Sequence, residues 1–194
     1  KYVTHPDILV LESLNGIYDR WYYYSVSRFL DQQELSDFRS LAGIIASLSG
    51  VLFTIGDDEE VGFREFAYLK EVKEILIEKL RYFIYKQCEW LNYPDLLTRE
   101  NSRDIISIEL HPLAYSLLFE DLNKKICNLK DVQFDENTNN LVYILLEQLI
   151  IILRTILKRD DEDKRLLLFS NGIVDAIMDL IHIIEKIPHD SVLY

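Results

Sequence analysis

The chain has 194 residues, 49% of them hydrophobic, and carries a formal net charge of −12 with a pI of about 4.8. A core is easily filled and disorder is disfavoured, while the acidic balance argues against a nucleic-acid partner and against an anionic membrane surface, both of which call for clustered Lys and Arg. The two cysteines, Cys88 and Cys127, are too few for a secreted disulfide scaffold, so a reducing compartment is expected.

With only 6 glycines and 4 prolines, turn signals are sparse and the segments between them long, which suits helices better than a many-stranded sheet. The opening residues, KYVTHPDILVL, lack the charged segment, apolar core and cleavage site of a leader. The chain reads as an internal segment of a longer protein, a single helical unit over 1–194.

The first expected helix covers residues 6–30. Ile8, Leu11, Leu14, Tyr18, Trp21, Tyr22 and Val26 recur at threes and fours, Pro6 suits a first turn, and Asn15-Gly16 marks a place where the helix could break. Asp31 stands three residues before Glu34, an Asp-led capping box opening a second helix. That helix has Leu35, Phe38, Leu41, Ala42, Ile45, Leu48 and Leu52 on one face. Ala42-Gly43 and Ser49-Gly50 put small residues where a neighbouring helix could come close. The acidic run 57–60, between Gly56 and Gly62, is a solvated loop.

A third helix, 63–91, has Phe66, Leu69, Val72, Leu76, Leu80, Phe83 and Ile84 as its stripe, and its charged face makes it an outer helix. Asn92-Tyr93-Pro94 stops it, because the residue before proline resists the α region. Asn101 and Asp104 suggest a short capped helix at 102–108. His111-Pro112 starts the next helix, with Leu113, Leu117, Phe119 or Glu120, and Ile126 down one side. A polar linker, 135–140, leads into 141–157, apolar nearly all round. Glu147, Gln148 and Arg154 interrupt it and it falls short of about 20 clean apolar residues, so it is read as a buried core helix rather than a membrane span. It is expected to be the least exposed element, with Ile144, Leu145, Ile151 and Ile152 in the core. A charged turn, 159–165, precedes Asn171-Gly172 and a last helix with Ile173, Ile177, Leu180, Ile181 and Ile184 inward, ended by Pro188. About seven helices joined by short polar turns fit an all-α stack of helix pairs, an α-solenoid of the armadillo or HEAT kind.

Residue patterns for chemistry are thin. No glycine precedes Lys-Ser or Lys-Thr, so no phosphate-cradling loop is present. The four histidines, His5, His111, His182 and His189, are scattered, and zinc needs about four Cys or His ligands at short spacings. His182 and His189 share one helical face at most as a pair. Neither Cys88 nor Cys127 has a nucleophile motif, and a buried helix-face thiol is the commoner use. Glu147-Gln148 could be a buried carboxylate site, but the edge of the helix that reaches solvent accounts for both. In Trp21-Tyr22-Tyr23-Tyr24, core packing of Trp21 with Tyr24 or Tyr22 outweighs an interface hot spot. The acidic runs 57–60 and 160–163 are read as solvated turns. No catalytic, cofactor or metal residue is assigned, and no cofactor is expected.

Three blocks carry a family resemblance. DFRSLAGIIASLSGVLF (37–53) holds Gly43 and Ser49-Gly50-Val51. RDIISIELHPLAYSLLF (103–119) holds Glu109-Leu110, Pro112, Tyr115 and Leu118-Phe119. NTNNLVYILLEQLIIILRTIL (137–157) holds Glu147-Gln148 before its aliphatic run, and the helix 170–185 follows. In this order they resemble neurofibromin and the yeast Ira proteins, in the helical region on the N-terminal side of the Ras GTPase-activating domain. The connection from Phe53 to Phe63 is shorter than the family pattern.

The resemblance implies a parent that restrains Ras–cyclic AMP signalling by inserting an arginine finger into the Ras site, where it stabilises transition-state charge. In the family that arginine follows Phe-Leu. Here Arg28-Phe29-Leu30 reverses the order, and Phe38-Arg39 and Phe63-Arg64 lack the leucine, so the activating domain is not included. The implied role is a non-catalytic scaffold. Its partners would be the rest of the parent chain, Ras through the absent domain, and a second copy in a full-length homodimer, with no nucleic acid. The implied location is cytoplasmic, with peripheral membrane association of the full-length protein. The alternative is an armadillo-like adaptor unrelated to Ras that binds a peptide or helix in a groove.

Overall fold

The structure, a computed structural model, describes residues 8–27, 30–54, 63–135, 138–159 and 172–187, and all regular structure among them is helical. In chain order the elements are α1 (Ile8–Val26), α2 (Gln32–Leu48), the single turn α3 (Val51–Thr54), α4 (Phe63–Glu89), α5 (Leu96–Asp104), α6 (Tyr115–Lys130), α7 (Asn140–Lys158) and α8 (Ile173–Glu185). Short 3-10 turns lie at Trp90–Asn92 and Pro112–Ala114, and a wider π-helical stretch at Ile105–Glu109. The seven expected helices correspond to α1, α2 and α4–α8. The described residues cluster into two compact units: 1–83 with 109–114, and 84–108 with 115–194.

In the first unit, α1 runs unbroken through Asn15-Gly16, because nothing crowds Gly16 and the helix is held by its apolar face. Leu11, Leu14, Tyr18, Trp21 and Tyr24 are buried, whereas Val26, expected inward, is exposed. The Trp21 ring is the centre of this face. It stacks on Phe38 of α2 at 6.0 Å, meets Phe83 of α4 edge-on at 4.8 Å and lies 5.5 Å from Tyr18. The α2 capping box forms as read from the sequence. Glu34 N–H donates to Asp31 Oδ1 (2.8 Å) and Asp31 N–H to Glu34 Oε2 (3.0 Å). Lys79 of α4 donates to Asn15 Oδ1 and pairs with Asp19, tying α4 to the polar edge of α1.

The exit of α2 explains its small residues. Ser49 turns its hydroxyl back onto Ala46 O (2.7 Å), and Ala46 O also accepts from the backbone N–H of His111 (3.1 Å). The His111 ring therefore lies directly over Gly50. A Cβ added there would sit 2.4 Å from ring atoms, far inside any real contact. The blocks 37–53 and 103–119 thus meet at a point where only glycine fits.

In the second unit, α5 starts earlier than the expected 102–108. Asp95 caps it, accepting from Thr98 N–H (2.8 Å) and Thr98 Oγ1 (2.7 Å). The Asp-x-x-Thr signal directly after Pro94 outranks the later Asn101 and Asp104. α6 packs on α8, with Lys130 paired to Asp179 (2.7 Å) and Lys186 Nζ donating to Lys130 O (3.0 Å). Gly172 enters α8 at φ +79°, a left-handed conformation that glycine adopts without strain.

The expectation that 141–157 is the least exposed element is overturned. Seven of the 16 residues of α6 are buried, against six of the 19 of α7. Of the four expected core residues only Ile152 is fully buried, while Ile144, Leu145 and Ile151 are half-buried. Composition measures how apolar a helix is, not how many neighbours it has. α7 packs against α5 and the 3-10 turn at Trp90–Asn92 and only lightly against α8. By length and composition alone, Gln32–Phe53 and Asn140–Lys158 are apolar enough to cross a membrane, a test that core helices also pass. The runs 57–60 and 160–163, His5, His189 and Pro188 lie outside the described residues.

Gly50→Ala is expected to destabilise the chain by about 1–3 kcal/mol, the usual cost of overpacking. Gly43→Ala, with nothing within 4 Å of its added Cβ, should be neutral or stabilising by up to about 1 kcal/mol. Urea unfolding of both variants checks the contrast.

Candidate functional site

The sequence-stated candidates are not brought together into a reactive cluster. Among the described residues no group of three or more His, Cys, Asp and Glu is placed to hold a metal ion. His182 is exposed on α8 and lies 3.9 Å from Glu185, while His111 belongs to the Gly50 contact. Cys88 is fully buried, and burial pushes its thiol well above the ordinary range, so it stays protonated at neutral pH. Cys127 is exposed on α6. Trp21 and Tyr24 are core residues, and Tyr22 and Tyr23 face solvent.

Glu147 and Gln148 part company. Glu147 is exposed, but Gln148 is buried and its Oε1 finds no partner among the described residues. The expectation that both reach solvent fails for Gln148. Adjacent helical positions differ by about 100° in direction, so one can face solvent while the next faces the interior. Gln87 near the end of α4 and Ser102 of α5 are buried in the same unpartnered way. Such groups are costly in a core, and nothing in their spacing in the sequence marked them.

Two further features of the second unit were missed. The first is Arg159, placed in a charged turn by the sequence reading. It caps α7 and its guanidinium is part-buried. It donates to Tyr115 Oη (2.8 Å) and to the carbonyl of Ser107 (3.4 Å), and lies 6.0 Å from the Tyr115 ring centre. Burial raises the Tyr115 pKa, and the adjacent Arg159 charge opposes that shift. The clasp fastens the end of α7 to the π-helical stretch and to the start of α6. A lone Arg after an aliphatic run carries no signal of such a role.

The second is an apolar groove of about 340 Å³ between α7 and α8. Ile150 and Leu157 line one wall, Ile177, Ile181 and Ile184 the other, and Leu153 and Leu180 close its base. Arg154 and Lys158 stand on its α7 rim. The helical period predicts Ile177, Ile181 and Ile184 inward. Ile181 and Ile184 are instead exposed, because α8 spends its buried face, Ile173, Ala176, Leu180 and Ile183, mainly on α6. The arrangement suits packing of an apolar segment.

Comparison with known proteins bears on what such a chain belongs to. The chain is 47% identical to the Saccharomyces cerevisiae inhibitory regulator protein IRA2 over 190 residues, which is 97% of its own length. It is also 47% identical to inhibitory regulator protein IRA1 of the same yeast over 208 aligned positions covering the whole chain. Over this stretch the chain belongs to the Ira family. It spans only 6% and 7% of the length of these relatives. The 208 positions exceed the 194 residues of the chain, so IRA1 carries extra residues within the stretch. No family model and no solved structure matches.

The two thiols give a direct check of the packing around the site. With a thiol reagent at neutral pH, Cys127 should react at once. Cys88 should react only when the chain is unfolded in denaturant. Rapid reaction of both thiols in the folded chain would contradict the burial of the α4 end.

Proposed function

We propose that this chain is a non-catalytic helical scaffold segment of an Ira-like Ras GTPase-activating protein, a negative regulator of Ras–cyclic AMP signalling. The observation that carries the reading is 47% identity along nearly the whole chain to two yeast inhibitory regulator proteins of far greater length. The packing supports a structural role. The resemblance blocks supply the Gly50–His111 contact, and the Arg159 clasp joins the block 103–119 to the end of α7. These are positions whose side chains hold helices together. The Phe-Leu-Arg sequence that carries the family's arginine finger does not occur in these 194 residues, which supports a non-catalytic reading.

In this reading the helices form part of an armadillo- or HEAT-like stack that positions the activating domain within the longer chain. Ras is reached through that domain, homodimerisation belongs to the full-length protein, and the protein is cytoplasmic with peripheral membrane association. The rival adaptor unrelated to Ras fits the α7–α8 groove but offers no account of the identity to the Ira proteins.

In single-turnover GTP hydrolysis by Ras with excess chain, the rate should remain the intrinsic one. A rate clearly above it, lost when one arginine of the chain is replaced, would overturn the reading.

A further inference from the structure

We infer that the α7–α8 groove seats an acidic amphipathic helix supplied by the longer chain from outside these 194 residues. The inference rests on the reading of the chain as a segment of an Ira-like protein, and it adds a surface, an occupant and the charge that selects it.

The groove is an apolar face left over after both helices have packed. α8 turns one stripe onto α6 and α7 one stripe onto α5, so their remaining aliphatic residues line a cleft. Leu157 is 53% exposed and Ile181 47% exposed, on opposite walls. Contiguous exposed aliphatics of this kind mark an interaction surface rather than ordinary scattered exposure. Two helices that diverge leave a trough that accepts a third, with aliphatic anchors at i, i+3 or i+4, and i+7.

The rim specifies charge. Arg154 and Lys158 lie one helical turn apart on α7, both are exposed, and neither has a carboxylate partner among the described residues. In a chain of net charge −12 this is a local reversal of sign at the mouth of an apolar groove. Two cations spaced at i, i+4 match two carboxylates one turn apart on an incoming helix, and complementary charge sets partner choice more than affinity. A second copy is the poorer occupant, because it would bring another net charge of −12 against this one. The longer chain is the better source. Relatives extend many times beyond this stretch, and a tethered helix meets the groove at high effective concentration.

The test is thiol accessibility in the purified full-length protein, compared with the 194-residue chain. Leu157→Cys and Ile181→Cys are introduced separately and their labelling rates read by peptide mass spectrometry. Both positions are exposed, so the variants should fold. Labelling should be at least tenfold slower in the full-length protein than in the 194-residue chain, independent of protein concentration. Arg154→Glu with Lys158→Glu should restore fast labelling. Equal rates in the two proteins would overturn the inference. So would protection that survives the charge reversal, which removes the acidic partner, or protection that grows with protein concentration, which points to a second copy. Stimulation of Ras GTPase by the same full-length protein is measured in parallel. Its absence would defeat the parent assignment, whereas its presence with equal labelling would defeat the groove alone.

Discussion

The first unit turns on one close approach, the His111 ring lying over the bare backbone of Gly50. The backbone N–H of His111 is committed to Ala46 O, which holds the His111 main chain close to the end of α2 and its ring over Gly50. Ser49 shares the same carbonyl. The end of α2, the turn into α3 and the segment 109–114 are therefore fixed by one another. Behind them the α1–α2 pair closes over Trp21, whose ring touches three other aromatics on three elements of that unit. A glycine there is a packing requirement, since its backbone is not in the left-handed region.

The second unit has a different kind of fastening. Its α6–α8 pair is apolar inside and ion-paired at the edge by Lys130 and Asp179. The Arg159 clasp then secures the end of α7 to Tyr115 and Ser107. A part-buried guanidinium with two acceptors and an aromatic face is well satisfied.

Much of this was legible in the sequence. The all-α class, the α2 capping box, the buried Trp21 and the Ira resemblance all follow from period, caps and block order, whereas the choice between Tyr22 and Tyr24 as its core companion does not. What was not legible depended on neighbours. The apolar run 141–157 has no feature that tells a central helix from one with an unpaired face. Gln148 and Glu147 look alike in sequence and differ only by direction. Arg159 reads as a turn residue until α6 is folded beside it. The start of α5 was missed for a local reason, the strength of the Asp95 cap. The α7–α8 groove is likewise a product of neighbours, because α8 packs mainly on α6.

Helix positioning in the first unit rests on specific close contacts. A double-mutant cycle at Gly50 and His111 tests it most directly, with the four chains compared by urea unfolding. If the His111 ring is what an added methyl strikes, the cost of Gly50→Ala should fall to within about 0.5 kcal/mol once His111→Ala is present, the mark of a coupled pair. An equal cost of Gly50→Ala in both backgrounds would contradict the account.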